Sequence, residues 1–99
     1  MSNYNKTIKG ASTLNVKDLI SVDDAKLWVE GASTLIFTGG LHVKGTCKIH
    51  VEGASTLRIE GAIIHKATGI VEGVSTGIVV GTVRSDDVST SGGSTWRVN

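Results

Sequence analysis

The chain has 99 residues, and its ten lysines and arginines against nine aspartates and glutamates give a net charge of +1. That length corresponds to one domain, and the lack of a basic block or an acidic tail argues against binding to nucleic acid or to an anionic membrane. Cys47 is the only cysteine, which excludes an internal disulfide framework and a metal site built from thiolates.

The N-terminal end, Met1 to Lys6, has no apolar stretch of the kind found in signal peptides. No apolar run reaches the roughly 18 residues needed to cross a bilayer. We therefore expect a protein of a virion or of the cytoplasm rather than one exported by a leader. Residues 1–7 are predicted to form an N-terminal leader or cap, and residues 8–99 to form the repeat domain.

From Gly10 onwards one phrase, Gly-Ala-Ser-Thr-Leu, recurs along the chain. It is identical at 10–14, 31–35 and 53–57, and it recurs in altered form at 73–77 and 92–96. Its first glycines lie 21, 22, 20 and 19 residues apart, so a unit of about 20 residues is used four times and followed by a partial fifth.

Each unit contains three short segments in which apolar and polar residues alternate. In the second unit the apolar pairs are Leu35 and Phe37, Leu41 and Val43, and Ile49 and Val51. A period of two indicates strands that bury one face, and three strands per unit imply a three-sided coil. The sequence predicts an all-β fold, a single-stranded right-handed parallel β-helix (β-solenoid), with three short strands in each of four to five turns.

The middle segment of each unit supplies two columns, ten and twelve residues after the phrase glycine. These columns hold Ile20, Leu41, Ile63 and Val83, and then Val22, Val43, His65 and Ser85. We expect both columns to point into the core. Between the middle and the last segment of a unit, Asp23-Asp24 and Asp86-Asp87 are predicted to occupy equivalent corners of the first and fourth units.

The repeated phrase has a structural role in this fold. Its glycine tolerates a tightly bent corner, and its serine and threonine stack in ladders from coil to coil. Their hydroxyls are expected to bond to each other or to corner carbonyls. We therefore interpret these serines as corner contacts rather than nucleophiles.

The phrases with Gly-x-Ser character, each followed by an alternating apolar strand, resemble those of the GIN-type autotransporter adhesin head domain. The closing segment 88–98, Val-Ser-Thr-Ser-Gly-Gly-Ser-Thr-Trp-Arg-Val, is similar to the way that family ends. The resemblance covers residues 8–98 and implies a right-handed β-helix without a known catalytic centre. It carries over no functional residue. A short β-helix without a leader is also typical of phage tail spikes and other virion appendages.

Outward columns are where a functional site has to lie. Immediately before the phrase glycines stand Glu30, Glu52 and Glu72, with Lys9 at the first coil. This stack fits a site for a cation or a basic partner, a glycosidase-like carboxylate pair, or a plain solvated face, and we favour the last.

Two further outward columns carry apolar residues, which are unusual on the open face of a monomer. They hold Trp28, His50 and Ile70 in one case, and Ile36 and Ile78 in the other. Two such faces favour side-by-side association of solenoids, with a trimer as the favoured form. A ligand or host-protein surface is the alternative.

The histidines His42, His50 and His65 fall in different columns, with His42 and His50 on separate sides. No two of them share a face at ligand spacing, so the sequence predicts no metal site. His50 with Glu30, Glu52 and Glu72 is the one cluster that a metal could use, and we favour a histidine that relieves the repulsion between the carboxylates. The sequence likewise predicts no catalytic residue and no cofactor. Trp96 falls in a core column where leucines stood before, and we expect it to cap that end of the coil.

The sequence therefore predicts a non-enzymatic structural or adhesion module, a homo-oligomer in a cell-surface or phage virion appendage. A small intracellular binding or inhibitor protein is the alternative; it would engage a host protein through the Trp28 and Glu30 columns. A surface glycan is a further candidate partner.

Overall fold

A computed structural model describes residues 3–98 and shows an all-β fold, with parallel strands stacked in about five coils of about 21 residues. The strands are β1 (Asn3–Ile8), β2 (Thr13–Val16), β3 (Ile20–Val22), β4 (Asp24–Val29), β5 (Thr34–Phe37), β6 (Leu41–Val51), β7 (Thr56–Val71), β8 (Thr76–Thr90) and β9 (Thr95–Val98). Every strand pairs in parallel with the strand one coil away. The predicted β-solenoid is confirmed. No helix within residues 3–98 is long and apolar enough to cross a membrane.

The three longest strands each run around corners of the coil. A straight strand of 16 residues, the length of β7, would measure about 53 Å at a rise of about 3.3 Å per residue. The longest dimension of the molecule is only 31 Å. These strands must therefore bend, and they merge segments that the sequence predicts as separate. Face one comprises β1, β4 and the last six residues of β6, β7 and β8.

The predicted N-terminal leader is part of the first coil. Asn3 to Thr7 continue without a break into Ile8 in β1, and they pair with Asp24 to Trp28 in β4. Ile8 is already buried and Tyr4 packs against the core. Met1 and Ser2 lie outside the described residues, as does Asn99 at the other end of the predicted domain.

The core is a set of apolar columns along the coil axis. Leu14, Leu35 and Leu57 stack in register, and so do Val16, Phe37 and Ile59. In the second and third coils the members of these columns, Leu35, Phe37, Leu57 and Ile59, are completely buried. Each residue thus packs on its equivalent one coil away, which is how a thin solenoid builds a continuous core.

The expected inward positions of Ile63, His65 and Ser85 are wrong. Leu41 pairs with Ala62 and Val43 with Ile64, so Ile63 is 57% exposed and His65 is also exposed. Ser85 pairs with the exposed Lys66, directly before the column of Ala67 and Asp86, and so faces outward. For Ile63 and His65 the cause is Gly61, which has a positive φ of 68° and forms a bulge between Glu60 and Ala62. One extra residue reverses the direction of the side chains that follow it.

The serines of the phrase form hydrogen bonds between coils. Ser33, Ser55 and Ser75 are buried, and their hydroxyls donate to the carbonyls of Gly10, Gly31 and Gly53 over 2.6, 2.9 and 2.9 Å. The predicted bonding to corner carbonyls is confirmed. The carbonyl always belongs to the phrase glycine of the preceding coil, so each serine fastens one corner to the next.

Candidate interaction face

Face one carries an aromatic and apolar ladder that the strand register builds. Trp28 pairs with His50, and His50 pairs with Ile70, one residue per coil. Side chains on a strand alternate between its two faces, so these residues point outward while Leu27 and Ile49 beside them are buried. The structure thus brings together three residues that the sequence predicted in one column, which we call the ladder.

Trp28 and His50 are less exposed than an outward column suggests. Their rings stack with centroids 3.9 Å apart and an interplanar angle of 16°. The indole N–H of Trp28 also donates to Oε2 of Glu30 over 2.8 Å. Both residues are therefore half-buried by their neighbours within the same chain. Ile70 is the most exposed member of the ladder, at 43%.

The acidic column lies at the end of face one, beside the ladder. Glu30 has Lys9 as an ion-pair partner at 3.7 Å. Its pKa is lowered, first by the hydrogen bond from Trp28, then by a side-chain hydrogen bond with Glu52 and by the charge of Lys9. The charge of Glu30 is thus compensated by its neighbours.

His50 reaches the same column from the ladder. Its Nε2 lies 3.0 Å from Oε2 of Glu52, but the two are not aligned for a hydrogen bond, and Nε2 is buried without a hydrogen-bond partner among the described residues. The two atoms are close enough for a hydrogen bond, but the angle between them is too poor for one. His50, Glu52 and Glu72 offer three ligand atoms that all lie within 4.8 Å of one another.

A column of lysines flanks the ladder on its other side. Lys26 pairs with Lys48 in the register, and both side chains are exposed. The Nζ of Lys26 lies 6.0 Å from the ring centroid of Trp28. Face one therefore presents a basic column, the ladder and an acidic column side by side.

The second apolar column lies on the neighbouring face, built by β2, β5, β9 and parts of β7 and β8. Ile36 and Ile78 alternate there with Arg58 and Arg97 in the register. Both isoleucines are half-buried, and Arg58 is held by Glu60 at 3.0 Å. This face exposes less apolar surface than the sequence predicts, because the arginine stems lie between the isoleucines.

One group of residues was missed by the sequence analysis. Lys44, His65 and Arg84 each follow directly after the paired residues Val43, Ile64 and Val83, and they line one surface groove together with His42 and Ile63. His42 and His65 thus line the same groove, although the sequence analysis placed them in different columns. The signal was Gly61, whose bulge turns His65 outward.

Trp96 lies over the core at the C-terminal side of the described coils. It is half-buried, packs against the core cluster, and stands directly above Gly77, where no side chain obstructs the ring. Its indole N–H donates to the carboxylate of Asp86 over 3.0 Å. Asp86 belongs to the inward column of Ala67 and not to the corner of Asp24, so the expected equivalence of these aspartates is wrong.

Replacing Trp96 with alanine should lower the free energy of unfolding by about 1–3 kcal/mol, less than the about 3–5 kcal/mol of a fully buried aromatic residue. The loss follows from uncovering the core around Gly77. Urea unfolding followed by circular dichroism measures it. Trp96→Phe, which keeps a ring but loses the bond to Asp86, should cost about 1 kcal/mol. An unchanged unfolding midpoint in Trp96→Ala would show that the indole does not stabilise the core around Gly77.

Cys47 lies in the core beneath face one. Burial raises the pKa of its thiol to about 12. Because the thiolate is the form that attacks electrophiles and binds metals, Cys47 acts here as a small core residue.

No protein-family model matches this chain, and comparison with curated proteins and with solved structures likewise finds no match. The resemblance to the GIN-type head domain therefore stays a prediction.

Proposed function

We propose that this chain is a non-enzymatic structural module that associates with copies of itself through face one, as part of a surface or virion appendage. The observation that carries the proposal is the order of three columns on a regular face. Lys26 and Lys48 stand on one side of the ladder, and Glu30 and Glu52 stand on the other.

This order is self-complementary for one arrangement of two copies. A two-fold axis parallel to the coil axis exchanges the two sides of the face but keeps each coil at its own height. Lys26 then opposes Glu30 of the second copy, and Lys48 opposes Glu52. A two-fold axis across the coils would instead place lysines against lysines. The parallel, face-to-face pair is therefore the favoured assembly.

The dimensions of face one set the area that a contact between two copies can bury. Strands of six residues, such as β4, extend about 20 Å, and five coils at about 4.8 Å spacing extend about 24 Å. Two such faces bury about 1,000 Å² in total, near the lower bound for a specific interface. We expect an association that depends on protein concentration and weakens with salt, because charged columns contribute to it.

The trimer predicted from the sequence needs two apolar faces that bind each other. The column of Ile36 and Ile78 is half-buried among arginines, which favours the two-fold pair over the trimer. The alternative function, binding of a host protein through the same face, predicts a monomer in solution. The molar mass in solution distinguishes the two-fold pair, the trimer and the monomer.

Sedimentation equilibrium over a wide range of concentrations tests the proposal. Ile70→Lys should shift the chain towards monomer, because it places a charge in the ladder of both copies. Ile63→Lys is the matched control, since Ile63 is an exposed isoleucine that lies in the groove with His42 rather than on face one. The control should associate as the parent does.

Charge exchange tests the two-fold arrangement itself. Lys48→Glu should weaken association, and adding Glu52→Lys in the same chain should restore it, because the two columns then oppose each other with reversed signs. A parent chain that stays monomeric at every concentration would end the self-association proposal and favour a host-protein partner.

A further inference from the structure

We propose that His50, Glu52 and Glu72 form a binding site for one divalent transition-metal ion of the zinc type. The sequence analysis named His50 and the acidic column as the one cluster that a metal could use, but it favoured a solvated face and predicted no metal site. The site combines one imidazole with two carboxylates. Their ligand atoms lie within 4.8 Å of one another.

The coil geometry brings these three side chains together. His50 and Glu52 are two residues apart, so both point outward at the end of β6. Glu72 is the equivalent of Glu52 one coil later, since each precedes a phrase glycine. The separation of about 4.8 Å between neighbouring parallel strands then places the second carboxylate next to the first.

The orientation of His50 points to a ligand other than Glu52. Its Nε2 is buried and has no hydrogen-bond partner among residues 3–98, although Glu52 Oε2 is 3.0 Å away. Such an arrangement is expected of two ligands of one metal ion, because their lone pairs point at the ion and not at each other. A buried ring nitrogen without a hydrogen bond is costly, and a metal ion would relieve that cost.

The charges of the column favour a cation at this place. Lys9 and the Trp28 indole compensate Glu30, at the other end of the stack. Within residues 3–98, the Glu72 carboxylate has no hydrogen bond or ion pair, and Glu52 has no lysine or arginine as an ion-pair partner, only His50 and a hydrogen bond with Glu30. Two carboxylates at adjacent coils repel each other, and a divalent ion between them would convert that repulsion into attraction.

The donor set selects the class of metal. One imidazole nitrogen with two carboxylate oxygens suits zinc and similar transition metals, whereas calcium and magnesium prefer oxygen ligands alone. Ligands of a tetrahedral zinc ion are roughly 3.3 Å apart, given bonds of about 2.0–2.2 Å. His50 Nε2 and Glu52 Oε2 are already 3.0 Å apart, and rotation about the flexible glutamate stems permits the remaining adjustment. A fourth position stays open to water or to a partner.

Titration of the full chain with Zn²⁺ alone tests the site, by calorimetry and by tryptophan fluorescence. Trp28 stacks on His50 and should report binding at the imidazole. We expect one ion per chain. Glu72→Gln should weaken binding at least tenfold, since even groups that only support a metal ligand contribute 10–100-fold to affinity. Because Glu72 stands in the acidic column of face one, the effect of this variant on self-association without metal is measured separately by sedimentation equilibrium.

Two matched controls separate this site from general surface binding. Glu60→Gln removes an exposed carboxylate on another face, and His65→Gln removes an exposed imidazole from the groove. Both should bind Zn²⁺ within twofold of the parent, while His50→Gln should lose binding. Absence of saturable binding in the parent would overturn the proposal. So would affinity that survives in Glu72→Gln and His50→Gln but falls in His65→Gln.

Discussion

Replacing Phe37 with alanine should lower the free energy of unfolding by about 3–5 kcal/mol, the range for deleting a buried aromatic ring. Phe37 is completely buried in the second coil, stacked between Val16 and Ile59. Its ring also meets Tyr4 edge to face, with centroids 6.1 Å apart. The alanine leaves a cavity that reaches both neighbouring coils. Single domains are stable by about 5–15 kcal/mol, so the loss is a large part of the total.

Phe37→Leu is the control that shows how much of the loss of stability comes from the cavity rather than from the removal of an aromatic residue from a strand. Leucine occupies the neighbouring core columns and fills much of the space, so this variant should cost less than about 1.5 kcal/mol. Urea unfolding gives both values, provided that the slope with denaturant concentration is unchanged. A loss below about 1 kcal/mol in Phe37→Ala would show that the coil contracts around the missing ring.

The sequence predicted the core of the first two coils because strict repetition fixed its alignment. Leu14, Leu35 and Leu57 follow the same phrase at the same distance, so one alignment places all three. The ladder followed from the same alignment, counted backwards from the phrase glycine. Both predictions concern residues close to the phrase, where no bulge intervenes.

The alignment failed beyond Gly61, for a physical reason. Side chains along a strand point alternately inward and outward, so one extra residue at a bulge exchanges the inward and outward positions that follow it. Ile63 and His65 therefore point outward, and Ala62 and Ile64 fill the core in their place. A glycine in the middle of an alternating segment was the signal in the sequence for such a bulge.

The half-burial of Trp28 could not be predicted from its column. The column gives the neighbours of a side chain but not its rotamer. The stacking on His50 and the bond to Glu30 depend on how the indole turns. The same holds for His50, Glu52 and Glu72, since only the rotamers decide whether three outward groups converge on one point.

Replacing Gly53 with alanine should lower the free energy of unfolding by about 2–5 kcal/mol. Two costs contribute. Gly53 has a φ of 76°, and that left-handed conformation costs a residue with a Cβ about 1–2 kcal/mol. A Cβ at this position would also lie 2.5 Å from the carbonyl oxygen of Gly31, one coil below. Overpacking of this kind costs about 1–3 kcal/mol more.

Gly10→Ala is a control within the same repeated phrase. Gly10 has a φ of 72°, but an added Cβ meets nothing within 4 Å, because Gly10 belongs to the first coil. It should therefore cost only the about 1–2 kcal/mol of the backbone conformation. The difference between the two variants, measured by urea unfolding, isolates the close approach of stacked corners. Equal losses would mean that the phrase requires glycine for its backbone angle alone. A larger loss at Gly53 would mean that the tight stacking of the coils, fastened by Ser55 through the Gly31 carbonyl, also demands a residue without a side chain.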